Sequence, residues 1–161
     1  MLQAAPSARV LEVGNVLSHY FPTRHDVIDK YERAPGVQNV DVADFQPVGV
    51  YDLIVSISTL EHVGFNEKPL EPEKPLRAIR LLRRCLSPRG RLVITVPVGF
   101  NPHVDRMLED GRIPRDDALC LERVSWDNRW RETTWEEIRH ARYGHPYRNA
   151  NGLVLVTFPP P

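Results

Sequence analysis

Tyr51-Asp-Leu-Ile-Val-Ser-Ile57, then a stretch from Pro75 to Leu86, then Arg91-Leu-Val-Ile-Thr-Val96 form the series that decides the fold. The two outer runs are short, rich in β-branched residues and almost continuously apolar, as strands of a parallel sheet covered on both faces are. Between them Leu76, Ile79, Leu82 and Leu86 recur at helical spacing, while Arg77, Arg80, Arg83 and Arg84 fall on the opposite side. Pro75 suits a first helical turn, and Ser87-Pro-Arg-Gly90 ends the helix and turns the chain into the next strand. Strand, helix, strand in that order implies a right-handed crossover and an α/β fold.

On the N-terminal side, Arg9–Val13, Asp26–Asp29 and Val40–Val42 read as three further short strands. Their connections are lean: Gly14 to Asp26 barely holds two helical turns. On the C-terminal side, Leu119–Trp126 and Arg129–Thr134 flank Asp127-Asn128, a candidate two-residue hairpin turn. Thr134-Trp-Glu-Glu137 has the form of a capping box, and Leu153–Phe158 is a final apolar strand. The expected architecture is a doubly wound, mainly parallel sheet closed by antiparallel C-terminal strands, in one domain spanning residues 1–161.

Composition narrows the function classes. Of 161 residues, 42% are hydrophobic, and 21 basic residues balance 21 acidic ones. No net field therefore recruits nucleic acid or anionic lipid. The longest apolar run, Leu92 to Phe100, is broken by Pro97 and is far short of the ~18 residues that cross a bilayer. Met1 to Ala8 lacks the basic start of a leader. Two cysteines, Cys85 and Cys120, are too few for a disulfide scaffold and read as small core residues of a cytoplasmic protein. Trp126, Trp130 and Trp135 read as core packing, and Pro159 to Pro161 as a frayed tail.

Ligands of open α/β sheets bind at the carboxyl ends of the strands. After the first strand comes Glu12-Val-Gly14-Asn15; after the second comes Asp29, 17 residues beyond Glu12. Asp41 and Asp44 lie near the third. After the fourth comes Ser56-Ile-Ser-Thr-Leu-Glu61-His62, and after the fifth Asn101-Pro-His103-Val-Asp105.

This ordered series resembles the class I S-adenosylmethionine-dependent methyltransferases, from Arg9 to about Asp105. Glu12 and Gly14 match the start of the family's acidic-x-Gly-x-Gly motif. Tyr51–Ser56 with Leu60-Glu-His-Val63 is similar to its fourth-strand motif, and Leu86-Ser-Pro-Arg-Gly90 with Arg91–Pro97 to its fifth. The resemblance implies S-adenosylmethionine as cofactor. It also implies that Asp29 binds the ribose hydroxyls and Asp44 the adenine amino group, with Glu12, Gly14, Asn15 and Ser56 completing the cofactor site. Two departures stand out. Val16 and Ser18 replace the family's further glycines, and the chain begins almost at the first strand, without the helices that usually lid the substrate. Either the lid comes from elsewhere, such as a second subunit, or the site is open. Apolar surface left near the first strand leads us to expect a homodimer or a partner subunit.

The leading reading is methyl transfer to a nucleophilic oxygen or nitrogen of a small molecule, without nucleic-acid or membrane partners. In that reading His103, in the Asn101-Pro-His103 loop that can reach substrate, is the preferred general base and Asp105 orients it. His62 is the second choice, since Leu60-Glu-His-Val63 reads as the start of a packed helix. The alternative is a methyltransferase-like fold without transfer activity that serves binding or assembly. A metal site built from His62, His103 and Asp105 is a weaker third reading, because their spacing matches no metal motif.

Overall fold

The computed structural model describes residues Ala8–Pro161. The reading of the N-terminus as carrying no leader lies, except for Ala8, outside the described residues. The elements in chain order are β1 (Val10–Val13), β2 (Asp26–Ile28), β3 (Val37–Gln38), β4 (Tyr51–Ile57), α1 (Lys74–Arg84), β5 (Leu86–Pro97), α2 (Pro102–Glu109), β6 (Leu119–Arg123), β7 (Trp130–Thr133), α3 (Trp135–Ile138) and β8 (Gly152–Phe158). The strands form one sheet in the order β3-β2-β1-β4-β5-β8-β6-β7. The first five are parallel; β8 runs antiparallel to both β5 and β6, so β6 points the same way as β5. This is the expected α/β fold with antiparallel C-terminal strands.

One sheet face carries the core. Leu11, Ile54, Leu92, Ile94, Val154 and Val156 are buried on it, in one cluster with Leu76, Ile79 and Leu82 of α1 and Val104, Met107 and Leu108 of α2. Both helices lie on right-handed crossovers that step the same way along the sheet, which brings them to the same side. On the other face Leu53, Val55, Ile57, Leu153 and Leu155 stay half-buried. The connection from β1 to β2 holds only a 3-10 turn, Leu17–His19, and that from β2 to β3 holds no helix. Among the described residues no helix is long and apolar enough to cross a membrane.

Several local readings change. Val40–Val42 is not a strand: β3 comes earlier, and Asp41 caps a 3-10 turn over Val42–Asp44 by accepting from the Ala43 amide at 2.9 Å. Ser87–Gly90 interrupts a strand instead of preceding one, since Leu86 already pairs with Tyr51 before Arg91 pairs with Leu53. Gly90 is required there because a Cβ would sit 2.6 Å from the Tyr51 carbonyl oxygen. The β6–β7 connection is longer than two residues, with the Val124 amide donating to Arg129 at 2.9 Å. Pro159 and Pro160 are tied down by the Arg83 guanidinium at 3.0 and 3.2 Å. Trp135 packs against the core, but Trp126 is exposed, its ring meeting that of Tyr147 edge-on at 5.1 Å.

Candidate active site

The loop after β1 is held from beneath. Glu12 is fully buried; its Oε1 accepts from the Val16 and Leu17 amides at 2.8 and 2.7 Å, and its Oε2 meets His25 Nε2 at 2.7 Å. With both oxygens engaged by the protein, Glu12 braces the loop, and it is not among the residues that line the cavity described next. Asn15 is likewise turned inward, donating to Glu32 and accepting from Ser18, each at 2.6 Å. Gly14 differs from both. Its φ is +87°, and a Cβ there would come within 2.1 Å of Thr59 Oγ1, so only glycine fits this close approach.

Gly14 opens onto a cavity of about 460 Å³ at the carboxyl ends of β1, β2 and β4. Ile28, Val42 and Val63 give it apolar walls; Asp29, Asp41, Ser58, Thr59 and His62 give it polar ones. Asp29 Oδ1 accepts from the Tyr31 and Glu32 amides, both at 2.7 Å, which fixes the carboxylate; among the described residues its Oδ2 accepts nothing. Asp44 is exposed and outside the cavity, because the 3-10 turn carries it past the rim. Ser56 is also outside, buried within the sheet with no partner for its hydroxyl. Ser58, at φ +45°, takes the rim position, its amide donating to the Thr95 carbonyl at 3.0 Å. A non-glycine residue in that region stores strain, which concentrates at functional sites.

Four charged side chains form the far wall, with Lys30, Asp41 and Glu67 lining it and Lys74 buried behind them. Lys74 is buried and donates to Asp41 at 2.6 Å and to Glu67; Lys30 donates to the same two carboxylates at 2.8 Å each. Burial alone would raise the Asp41 pKa, but the lysine hydrogen bonds outweigh it and hold the carboxyl well below the usual range. The network links the end of β2 to the segment before α1 and to α1 itself.

At the rim nearest β5 stands an aromatic group. The His62 ring meets Phe100 edge-on at 4.6 Å, and Phe100 meets Phe65 at 5.8 Å and Tyr143 at 5.0 Å. His62 lines the cavity, and burial lowers its pKa. His103 does not line it. Asn101 caps α2 through the His103 amide at 2.9 Å, so His103 sits on a helical turn, 6.4 Å from Phe65, and not in a reaching loop. Asp105 does not orient His103; both its oxygens accept from the Gly99 amide, at 3.1 and 3.2 Å. Among the described residues no group of three or more metal-ligating side chains is placed to hold an ion. Sequence reasoning weighs Asp44 over Asp41 and misses Lys30, Ser58, Thr59, Glu67 and Lys74. The available signal is Asp41 two residues before Ala43, the spacing of a capping aspartate.

This geometry agrees with the comparisons. The methyltransferase-domain family matches residues 4–148, and the chain belongs to that family. The N-methyltransferase NodS from Bradyrhizobium japonicum WM9, solved in complex with S-adenosyl-L-homocysteine, shares the fold with a TM-score of 0.58 and 16% identity, over 96% of this chain and 78% of that one. A second NodS structure gives a TM-score of 0.53 and 17% identity, over 96% and 86%. At such identity the likeness speaks for the fold. No curated protein matches the chain.

Proposed function

We propose that the chain is an S-adenosylmethionine-dependent methyltransferase that acts on the nitrogen or oxygen of a small molecule. The observation that carries this is the cavity at the ends of β1, β2 and β4, with a bare backbone at Gly14 and the pre-set carboxylate of Asp29. Its residues fit the cofactor. Asp29 Oδ2 is available to two ribose hydroxyls, Ile28, Val42 and Val63 suit the faces of a flat base, and no Cβ obstructs the backbone at Gly14. When bound, S-adenosylmethionine supplies an electrophilic methyl group on a sulfonium centre. The chain's own task is to align the acceptor for in-line displacement and to take its proton. His62 is the base in this reading, in place of His103. It lines the cavity and burial lowers its pKa, which favours the neutral imidazole a base needs, while Phe100 holds the ring edge-on.

Calorimetric titration with S-adenosylmethionine tests the reading. Wild type binds, and Asp29→Ala binds more than tenfold more weakly, since a hydrogen bond to a charged group contributes about 1.5–3 kcal/mol. Equal affinity in the variant would overturn the placement of the ribose. Absence of binding by wild type would overturn the function.

A further inference from the structure

A second cavity, of about 620 Å³, lies between the end of β6, α3 and the segment 139–151. Because β6 runs parallel to β5, this cavity opens at the same sheet edge as the first. The edge is stitched together there: the Val98 amide donates to Gly152 and the Arg123 amide to Asn151, both at 2.9 Å. Gly99, at φ +79°, fits against the Ala141 carbonyl, where a Cβ would come within 2.3 Å. The aromatic contacts from His62 through Phe100 to Tyr143 run from the first cavity to the segment that walls the second.

The cavity is preformed and basic. Asn151 donates to the Arg142, Tyr147 and Asn149 carbonyls at 3.1, 2.8 and 2.9 Å and accepts from the Tyr147 amide at 3.0 Å, which fixes the wall. Arg131 is paired with Glu122 at 2.5 Å, and Glu137 is engaged in the cap of α3. Arg123 donates to the Ser125, Trp126 and Arg148 carbonyls, which satisfy its N–H groups without cancelling its charge. Arg142 also lines the cavity, and among the described residues its guanidinium has no partner. The three guanidiniums face the two carboxylates of Glu122 and Glu137, which leaves one positive charge in excess.

We propose that this cavity is the acceptor-recognition subsite and that it takes one anionic group, a carboxylate or a phosphate, of the small molecule to be methylated. The proposal rests on the methyltransferase reading. A guanidinium offers paired donors that match either anion. The anionic end would lie in the second cavity and the nucleophile beside His62, with the Phe100–Tyr143 wall between them.

The test is an amide-resolved NMR titration of the full chain with sodium phosphate and, separately, sodium acetate, against sodium chloride at matched ionic strength. Residues 139–151 should shift saturably with phosphate, acetate or both, and the anion that saturates at lower concentration identifies the preferred group. Arg142→Gln should weaken that binding at least fivefold, while Arg80→Gln, an exposed change on α1, should leave it unaltered. Shifts induced by S-adenosylmethionine at Gly14 and Asp29 should persist in Arg142→Gln. No saturable shift with either anion, or equal affinity in Arg142→Gln, would overturn the subsite. Anion shifts without any response to S-adenosylmethionine would overturn the methyltransferase reading, and with it the acceptor role, while leaving anion binding established.

Discussion

Replacing Glu61 by glutamine should make the protein's stability less sensitive to pH, by an amount the structure sets. Glu61 is 1% exposed, its Oε2 has no hydrogen-bond partner, and its Oε1 stands 3.8 Å from His62 Nε2. Burial is the dominant influence and pushes its pKa from 4.5 to about 8. Below pH 4.5 both folded and unfolded chains carry the proton, and the residue adds no pH dependence. Between pH 4.5 and 8 the unfolded chain releases the proton while the folded chain retains it, so stability falls as pH rises. The slope approaches ~1.4 kcal/mol per unit and the whole window amounts to about 5 kcal/mol. Above pH 8 both forms are ionised and the loss levels off. The side chain of Glu61→Gln has no such proton, though its amide leaves polar atoms unpaired at a pH-independent cost of about 1–3 kcal/mol. Urea unfolding of both proteins at pH 5, 6.5 and 8 and fixed ionic strength reads the difference, in which titrating groups remote from Glu61 cancel and only its neighbour His62 does not. The variant should gain about 3–4 kcal/mol on wild type from pH 5 to pH 8. A difference that stays constant with pH would refute the assignment of a neutral, buried Glu61.

Three other outcomes follow from the same geometry. Gly14→Ala places a Cβ within 2.1 Å of Thr59 Oγ1 at a φ of +87°; it should cost about 1–3 kcal/mol in thermal or urea unfolding and weaken S-adenosylmethionine binding more than tenfold by calorimetry. His62→Gln should leave that affinity within a few-fold while slowing label transfer from S-adenosylmethionine to a panel of small amines and alcohols by ~10²–10⁴; unchanged transfer removes His62 from the chemistry. Lys74→Met deprives Asp41 and Glu67 of a buried donor and should destabilise by about 2 kcal/mol at pH 7. Since the pKa of Asp41 is depressed in the fold, that contribution is present above pH 4 and lost as pH falls toward 2, so the gap between the two proteins should narrow on acidification.

The fold is legible where apolar runs are long. β4, α1 and most of β5 fall where hydrophobic periodicity places them, because each must bury a continuous face and has no alternative partner. Short elements are read less well. Val40–Val42 has strand composition, yet the Asp41 carboxylate satisfies the Ala43 amide locally and diverts the chain into a 3-10 turn. His103 reads as part of a loop beyond the fifth strand; in the structure Asn101 and Pro102 are the cap and first turn of α2. Neither outcome is decided by periodicity, since both turn on which side chain captures an unpaired amide.

The site divides along a line that strand pairing explains. Glu12 pairs within the ladder with Val27 and Val55, and Ser56 with Val13 and Ile94. Polar groups held there are enclosed by neighbouring strands and cannot reach the cavity. Gly14, Asp29, Ser58, Thr59 and His62 lie beyond the last paired residues of β1, β2 and β4, and all of them line it. A sequence reading that treats each strand end as one region therefore mixes bracing residues with binding ones. For the polar residues, position relative to the last pair matters, and it depends on register between strands; Asn15 lies beyond that pair and is still drawn inward by Glu32 and Ser18. The Lys30–Asp41–Glu67–Lys74 network lies further out of reach. Its members come from the end of β2, the 3-10 turn over Val42–Asp44, the segment before α1 and α1 itself, and the 33 residues separating Asp41 from Lys74 leave no local pattern. What the sequence offers is Lys74 at the start of a helix, where a cation opposes the helix dipole. That unfavourable placement is resolved by two carboxylates contributed from other parts of the chain.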